Sequence, residues 1–424
     1  MLISSLIFVA AYILIVSEKI DRVIVAVGGG ILMVLVGTFS IDYSQESAFR
    51  AIDFNTLGLL ISMMIIVMIT QRTGIFQYLS IKMVKLAKGE PWLILVYLSL
   101  VTAVTSAFLD NVTTILLILP ITFDVCKELN LRPVPFIISQ IFASNIGGTA
   151  TLIGDPPNIM IGSKAGLTFM DFIINVAPAI IIILPVSIFA FVIIYRKYLY
   201  TDPHNKQKVM LLNEKEAIKD PVLLKKSLTV LALTILGFML HGELHFESST
   251  MAITGAVILT LISGVSVEHI LKEVEWKTIF FFAGLFMLVG GIEKAGVLEF
   301  IANNIVKATG SNLLLLGIAI LWVSAIVSAF VDNIPFTATM IPLIKDVGAL
   351  TGIGITPLWW ALSLGACLGG NGTIIGASAN VVASGMAEEV GYKITFGQYF
   401  KVCFPVMVIT IIISTVYLVL FFLR

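Results

Sequence analysis

The sequence SAFLDN (Ser106–Asn111) recurs as SAFVDN (Ser328–Asn333), 222 residues further along the chain. Each copy places an aspartate and an asparagine in the middle of an apolar segment. An ionisable side chain is costly inside a membrane, and where one occurs it is functional by default. The two copies therefore predict an internal duplication in which each half carries one functional position.

The composition predicts an all-α polytopic membrane protein. Of the 424 residues, 58% are hydrophobic and 12% are charged, whereas soluble domains carry about 25% charged residues. Mean hydropathy is +1.04. A β-barrel would show alternating segments of about ten residues, but the apolar runs here approach the roughly 20 residues of a spanning helix. Examples are Val23–Phe39, Thr56–Thr70, Phe172–Tyr195, Met251–Gly264 and Val402–Leu423.

The sequence also disfavours several partners and cofactors. The net charge is zero and there is no basic tract, so no nucleic-acid partner is expected. No nucleotide-binding loop of the form G-x-x-x-x-G-K-[ST] occurs, so we expect an ion gradient, and not a separate ATPase partner, to supply the energy. The three cysteines are far apart and lack metal or redox spacing. No cofactor is expected apart from bound Na⁺.

The duplication extends well beyond the first motif. With a shift of 222, Ser106–Val125 matches Ser328–Val347 at 8 of 20 positions. The segment GGTATLIGDPPN (Gly147–Asn158) matches GGNGTIIGASAN (Gly369–Asn380) at 6 of 12 positions. The predicted domains are a first repeat at 1–198, a polar cytoplasmic linker at 199–226 and a second repeat at 227–424.

Each predicted repeat comprises about five transmembrane helices, one re-entrant hairpin and one broken helix. The arms of the first hairpin, Trp92–Phe108 and Val112–Val125, are too short to be two comfortable spans. A hairpin that enters and leaves on one side gives each half an odd number of crossings, which turns the second half upside down. The predicted hairpins are at about 92–126 and 312–348, and the predicted broken helices at about 133–166 and 357–388.

The charge distribution supports this inverted-repeat topology. With the linker in the cytoplasm, 20 lysine and arginine residues fall inside and 6 fall outside, as the positive-inside rule requires. The loop Ser40–Phe54, for example, is predicted to be an acidic outer loop. We therefore expect an integral membrane protein of a prokaryotic inner membrane.

Irregular backbone is tolerated within a membrane only where protein or a water-filled cavity covers it. Secondary transporters form such a cavity from inverted repeats with discontinuous helices, whose unwound carbonyls bind cations. The pairs Gly147–Gly148, Gly369–Gly370 and Pro156–Pro157 are expected to break the helices here. The cavity would then lie between two hairpin tips and two broken helices.

The candidate ion-binding residues surround these tips and breaks. Asp110 and Asp332 offer the oxygen ligands that suit a small cation or a proton. Asp155 aligns with Ala377, so the first half carries one additional carboxylate. The candidates in the first half are Asp110, Asn111, Thr113, Gly147, Gly148, Thr149, Thr151, Asp155 and Asn158. Those in the second half are Asp332, Asn333, Thr337, Gly369, Gly370, Asn371, Thr373, Ser378 and Asn380.

The motifs SAFLDNVTT (Ser106–Thr114) and NIGGTATLIGDPPN (Asn145–Asn158) resemble those of the ion-transporter superfamily. The branch most similar to them contains the melanosomal P protein, NhaD-type sodium/proton antiporters and ArsB-type arsenite permeases. Sodium-coupled dicarboxylate symporters are more distant relatives, and their hairpin tips bind sodium. That resemblance implies Na⁺ ligands at Asn111 and Asn333, although aspartate replaces the symporters' serine and Ile334–Pro335 replaces their second Asn-x-Thr pattern. It also implies a homodimer that works by an elevator motion.

The preferred function is secondary active ion transport with proton or sodium coupling, most simply Na⁺/H⁺ antiport. Carboxylates removed from water exchange protons readily, which favours a cation step. The alternative cargo is arsenite, antimonite or another small anion such as a carboxylate. An ion channel and a membrane hydrolase using HGELH (His241–His245) are weaker alternatives, and the protein is expected not to be an enzyme.

Overall fold

The computed structural model describes residues 1–17 and 19–423, and within these ranges it contains helices and turns but no strand. Residue 424, the last of the second predicted repeat, and residue 18 lie outside the described residues. The all-α membrane class predicted from composition is confirmed. Seven of the described helices are long and apolar enough to cross a membrane.

The helices of the first half include both predicted hairpin arms and both parts of the predicted broken helix. They are α1 (Leu2–Ser17), α2 (Arg22–Ser40), α3 (Gln45–Ala51), α4 (Phe54–Gln71), α5 (Ile75–Leu86), α6 (Pro91–Ser106), α7 (Asn111–Glu128), α8 (Val134–Thr149), α9 (Pro156–Ala165), α10 (Phe169–Asn175) and α11 (Ala177–Tyr195).

The linker and the second half follow the same order. Their helices are α12 (Pro203–Met210), α13 (Pro221–Leu240), α14 (Ser248–Ser263), α15 (Val267–Glu273), α16 (Trp276–Lys294), α17 (Val297–Thr309), α18 (Leu313–Phe330), α19 (Asn333–Thr351), α20 (Thr356–Gly369), α21 (Ser378–Glu389) and α22 (Phe396–Phe421).

Many helix boundaries repeat with the spacing of the sequence repeat. Helices α4 and α16 begin 222 residues apart, as do α7 and α19, and α9 and α21. Aspartates produce some of these boundaries, because a carboxylate satisfies the free N–H groups at a helix start. Asp110 and Asp332 are the N-caps of α7 and α19. The same residues therefore begin equivalent helices in both halves.

The two halves also pack reciprocally. Helix α2 packs along α16, and the equivalent helices α14 and α4 pack along each other. In the same way α7 contacts α21 while α19 contacts α9. Reciprocal contacts are what a two-fold axis between two units produces. The inverted membrane orientation of the second half stays a prediction.

The first arms of the two hairpins differ in length. Helix α18 has 18 residues and is apolar enough to span a membrane, whereas its equivalent α6 has 16. Helix α18 begins after its N-cap Asn312, which is where the second hairpin was predicted to begin, and the arm-length argument had been made for the first hairpin alone. The re-entrant path of both hairpins stays a prediction.

The predicted linker packs against the first half. Helix α13 begins at Pro221, inside the segment predicted as linker, because Asp220 caps it and Pro221 occupies its first turn. Lys85 of α5 contacts Glu214 at 2.7 Å, and Lys206 of α12 contacts Glu90 at 2.6 Å. The polar segment between the repeats is thus attached to α5 and to the start of α6.

Candidate functional site

Both predicted broken helices are interrupted in the structure. Helix α8 continues through Gly147–Gly148 to Thr149, and α9 begins at Pro156 after six non-helical residues. Helix α20 ends at Gly369, and two short 3₁₀ turns precede α21. The first break therefore lies later than the glycine pair that was expected to cause it. The prolines at the start of α9 explain this position, because proline favours the first turn of a helix.

The glycines allow the backbones to approach closely. A Cβ atom at Gly147 would lie 2.1 Å from the Ala103 carbonyl oxygen of α6, and one at Gly369 would lie 2.5 Å from the Ala325 oxygen of α18. No side chain larger than hydrogen fits at such distances. Each hairpin arm thus packs directly on the backbone of its own broken helix.

Asn158 and Asn380 hold the two breaks in shape. The Asn158 amide donates to the carbonyls of Thr149 and Thr151 at 3.0 and 2.9 Å. The Asn380 amide donates to the carbonyls of Gly370 and Thr373 at 2.7 and 2.9 Å. Both asparagines are fully buried. They satisfy carbonyls that the interrupted helices leave free, as buried backbone requires.

One threonine connects each break to its hairpin. The Thr151 hydroxyl donates to the carbonyl of Ala107, and the Thr373 hydroxyl donates to that of Ala329. The Thr149 hydroxyl donates within α8, to the Asn145 carbonyl at 2.7 Å. These three predicted threonines therefore bond the protein's own backbone in this structure.

The hairpin-tip aspartates form local bonds and do not contact each other. Asp110 accepts hydrogen bonds from the backbone N–H of Thr113 at 2.9 Å and from the Thr113 hydroxyl. Asp332 accepts from the N–H of Ile334 at 3.0 Å. The aspartates cap helices, and the neighbouring asparagines extend into the interior.

Asp332 has a cationic partner that sequence reasoning missed. Arg22, at the start of α2, contacts the Asp332 carboxylate at 3.1 Å and donates to the Ser378 hydroxyl at 2.7 Å. Ser378 in turn donates to Asp332 at 2.9 Å. The available signal was an arginine at the first position of an apolar helix, but nothing in the sequence indicated its partner 310 residues away.

Asp155 is where the two halves converge. It is fully buried, and it accepts from the Asn111 amide at 3.5 Å and from the Asn333 amide at 3.3 Å. Among the described residues, no ion pair forms at this carboxylate. A buried carboxylate is therefore flanked by one neutral amide from each hairpin.

Asn145 of α8 extends this group into the second half and was also missed from the sequence. Its amide donates to the side-chain oxygens of Asn371 and Asn380, both at 2.9 Å, and its oxygen accepts from Asn111 at 2.9 Å. The usable signal was its place as the first residue of the motif NIGGTATLIGDPPN (Asn145–Asn158). Attention went to the glycines and to the residues after them.

Two predicted residues have free polar atoms. Within residues 1–17 and 19–423, the Thr337 hydroxyl and the Asn371 amide nitrogen have no hydrogen-bond partner, although both side chains are fully buried. Buried polar groups without partners are uncommon and call for an explanation, such as an absent water or ion. These atoms are available to a ligand.

A cavity of about 480 Å³ leads to Asp155 and is lined by both halves. Its acidic residues are Asp110, Asp155 and Glu275, and its basic residues are Arg22 and Lys277. Both basic side chains are engaged elsewhere, since Arg22 contacts Asp332 and Lys277 lies 3.4 Å from Asp21. The cavity therefore presents an excess of negative charge.

A second cavity, of about 240 Å³, is related to the first by the repeat. Its lining residues Met160, Phe286 and Ala338 stand 222 residues from Val382, Met64 and Leu116, which line the first cavity. Its charged residues are Arg50, Lys164, Lys345 and Glu293. Equivalent surfaces of the two halves thus carry opposite charge excess.

The HGELH stretch begins at His241, the C-cap of α13. His241 is buried, with one ring nitrogen 2.9 Å from the Phe246 carbonyl and the other accepting from the Phe169 N–H at 3.3 Å. Both ring nitrogens are therefore engaged with backbone groups. This arrangement joins the end of α13 to the start of α10.

Comparisons with known proteins agree with the fold and the motifs. Residues 12–365 match the family model CitMHS, described as "Citrate transporter". An uncharacterized transporter of Mycobacterium tuberculosis strain H37Rv is 42% identical over 97% of this chain and 96% of its own length. The human P protein is 33% identical over 98% of this chain and 59% of its own length. The resemblance to the P protein branch is thus confirmed.

A solved structure has a similar architecture. The crystal structure of the YdaH transporter of Alcanivorax borkumensis superposes with a TM-score of 0.60 and covers 98% of this chain and 97% of its own. Sequence identity is 13%, so the likeness concerns the fold alone.

Proposed function

Because this chain belongs to the citrate transporter (CitMHS) family, we propose that it is a secondary active membrane transporter whose coupling ion binds at Asp155. The observation that carries the proposal is a fully buried carboxylate with neutral amide partners among the residues that line a cavity. The coupling ion is a proton or Na⁺. The site is not catalytic, and the protein moves its cargo without changing it.

The physical reason is the cost of an uncompensated buried charge. An ionised carboxylate in a low-dielectric interior is unstable unless a cation or a proton neutralises it. Asn111 and Asn333 suit both states, because an asparagine offers N–H donors to a free carboxylate and an oxygen to a bound cation. Binding of H⁺ or Na⁺ at Asp155 therefore changes what the two hairpins contact.

The charge of the first cavity favours a cation as the exchanged species. Three acidic residues line it, and its two basic residues already contact carboxylates. We propose Na⁺/H⁺-type antiport in which Na⁺ and protons compete for Asp155. The two repeat-related cavities are proposed as the access routes used alternately, with the elevator motion and homodimer that the sequence resemblance implies.

An anion is the second candidate cargo. The family description names citrate, and Arg22 lines the first cavity while contacting Asp332 and Ser378. A carboxylate or arsenite-like anion could displace Asp332 from the guanidinium, since arginine recognises planar oxyanions well. In this version, a cation at Asp155 reduces the negative charge before the anion enters.

Reconstitution in liposomes tests the proposal. An imposed Na⁺ gradient should drive proton movement in the wild-type protein, and Asp155→Asn should abolish it. Radiolabelled citrate and arsenite, offered with and without Na⁺, separate the antiport from the anion version. Na⁺-driven proton movement that survives Asp155→Asn would contradict the assignment of Asp155.

A further inference from the structure

The donor and acceptor roles of the side-chain amides around Asn145 can be assigned in only one way. The Asn380 amide nitrogen donates to the carbonyls of Gly370 and Thr373, and carbonyls only accept hydrogen bonds. Asn380 must therefore present its oxygen to Asn145. Asn145 consequently presents its nitrogen to Asn380. Two backbone carbonyls of the second break therefore determine the donor and acceptor roles throughout this network of side-chain amides.

The same donor-to-acceptor order continues into the first hairpin. Since the Asn145 nitrogen faces Asn371 and Asn380, its oxygen accepts from Asn111. The same Asn111 nitrogen also contacts Asp155. The state of the Asp155 carboxylate is therefore connected through Asn111 and Asn145 to both ends of the second break. Asn145 is fully buried, so water does not replace any of these bonds.

Building on the proposed function, we propose that Asn145 is the positioning residue that couples ion occupancy at Asp155 to the conformation of the second broken helix. When a proton or Na⁺ neutralises Asp155, the attraction on the Asn111 amide weakens. Asn145 transmits the resulting shift to Asn371 and Asn380, which lie on opposite sides of the same break. Ion binding in the first half then determines whether the second half can move cargo.

Helix α8 supplies a matched control for this inference. Gln140 is buried on the same helix as Asn145, and its side-chain amide donates to the Thr122 hydroxyl of α7 at 2.9 Å. Gln140→Ala therefore removes a buried polar side chain from α8 without removing a bond to Asp155 or to the second break. Cys367, the repeat equivalent of Asn145, is unsuitable because its thiol faces the Asp155 carboxylate. Asn145→Ala removes all three bonds of the network.

Hydrogen exchange of the 369–380 segment tests the coupling without knowledge of the cargo. In the wild-type background, Asp155→Asn mimics a neutralised site and should change exchange in this segment about tenfold, the factor that one buried hydrogen bond represents. In the Asn145→Ala background the same substitution should leave exchange unchanged. The Gln140→Ala background should behave as wild type. An equal response to Asp155→Asn with and without Asn145 would overturn the proposal.

A pH profile separates this role from simple packing. In Asn145→Asp, an ionised carboxylate would face the oxygens of Asn371 and Asn380, whereas its protonated form donates one bond. The exchange response to Asp155→Asn should therefore return at low pH in this variant and not in Asn145→Ala. Absence of that recovery in a correctly folded protein, checked by thermal unfolding, would assign Asn145 a packing role only.

Transport measurements distinguish this inference from the proposed function. If wild type shows Na⁺-driven proton movement, Asn145→Ala should lower the ratio of coupled to leak flux about tenfold, again the worth of one buried hydrogen bond. An unchanged ratio would reject the role of Asn145 alone. If wild type shows no ion-coupled flux, the proposed function fails, while the exchange experiment still tests whether Asn145 connects Asp155 to the second break.

Discussion

The side-chain amide of Asn333 donates to the carboxylate of Asp155 across 3.3 Å, and this bond joins the second hairpin to the first broken helix. The two residues are 178 positions apart. Asn111 reaches the same carboxylate from the other hairpin. The duplicated asparagines thus converge on an acidic residue that occurs in one half only.

Replacing Asp155 by asparagine should increase stability and abolish ion coupling. The change removes a buried charge without a cationic partner, which we expect to stabilise the fold by on the order of 1 kcal/mol. Thermal unfolding in detergent and liposome flux measure the two effects. Asp124→Asn, at an exposed position of α7, should change neither. A destabilised but fully coupled Asp155→Asn protein would contradict both expectations.

The Arg22–Asp332 pair should contribute modestly to stability. Arg22 is 40% exposed and Asp332 is 13% exposed at the side chain, so water weakens their attraction. A double-mutant cycle with Arg22→Gln and Asp332→Asn should give a coupling energy of about 0.5–1 kcal/mol. The same cycle on the more exposed pair Lys393–Glu388 should give a value near zero. Equal values for the two pairs would mean that α2 is not held to α19 by this contact.

Asn158→Ala and Asn380→Ala should destabilise the protein to a similar extent. Each change leaves two buried carbonyls without a donor, which we expect to cost about 2 kcal/mol. Chemical or thermal unfolding of the purified protein measures this cost. The comparison is Asn303→Ala on α17, where an exposed amide donates to one carbonyl and removal should have little effect. If the losses of unfolding free energy in Asn158→Ala and Asn380→Ala differed by more than about 2 kcal/mol, the two breaks would not be equivalent.

Alanine in place of Gly147 or Gly369 should separate a hairpin arm from its broken helix. The added methyl group would collide with the carbonyl of Ala103 or Ala325, and overpacking of this kind costs about 1–3 kcal/mol. Gly385→Ala on α21 serves as control, because a Cβ there meets nothing within 4 Å. We expect the first two variants to unfold at lower temperatures than wild type and the third to unfold at the wild-type temperature. Normal stability of Gly147→Ala would show that α6 and α8 can move apart freely.

The attachment of the linker should depend on pH through Glu214. The hydrogen bond from Lys85 lowers the pKa of Glu214 below its ordinary value. The contact is therefore fully present above the ordinary glutamate pKa and is lost as pH falls through the lowered value. At pH 7, Glu214→Gln should increase hydrogen exchange in the segment 203–217, and the difference from wild type should disappear at acidic pH. Glu216→Gln, which leaves Lys85 in contact with Glu214, is the matched control.

Much of the architecture could be predicted from the sequence, because its signals are local or periodic. Apolar length predicted the helices, and the 222-residue repeat predicted which helices are equivalent. The repeated Asp-Asn motif identified helix starts that both halves use, since capping depends on a residue and its next three neighbours. The alignment of Asp155 with Ala377 also predicted an inequality between the halves before any contact was known.

The composition of the site required the tertiary structure. Arg22 and Asp332, and likewise Asn145 and Asn380, are hundreds of residues apart, and no local pattern states which side chains meet. The sequence identified the two hairpin tips, but only the structure shows that their aspartates cap α7 and α19 while their asparagines reach Asp155. Helix packing decides this outcome, because it determines which polar atoms lose water and must find their partners inside the protein.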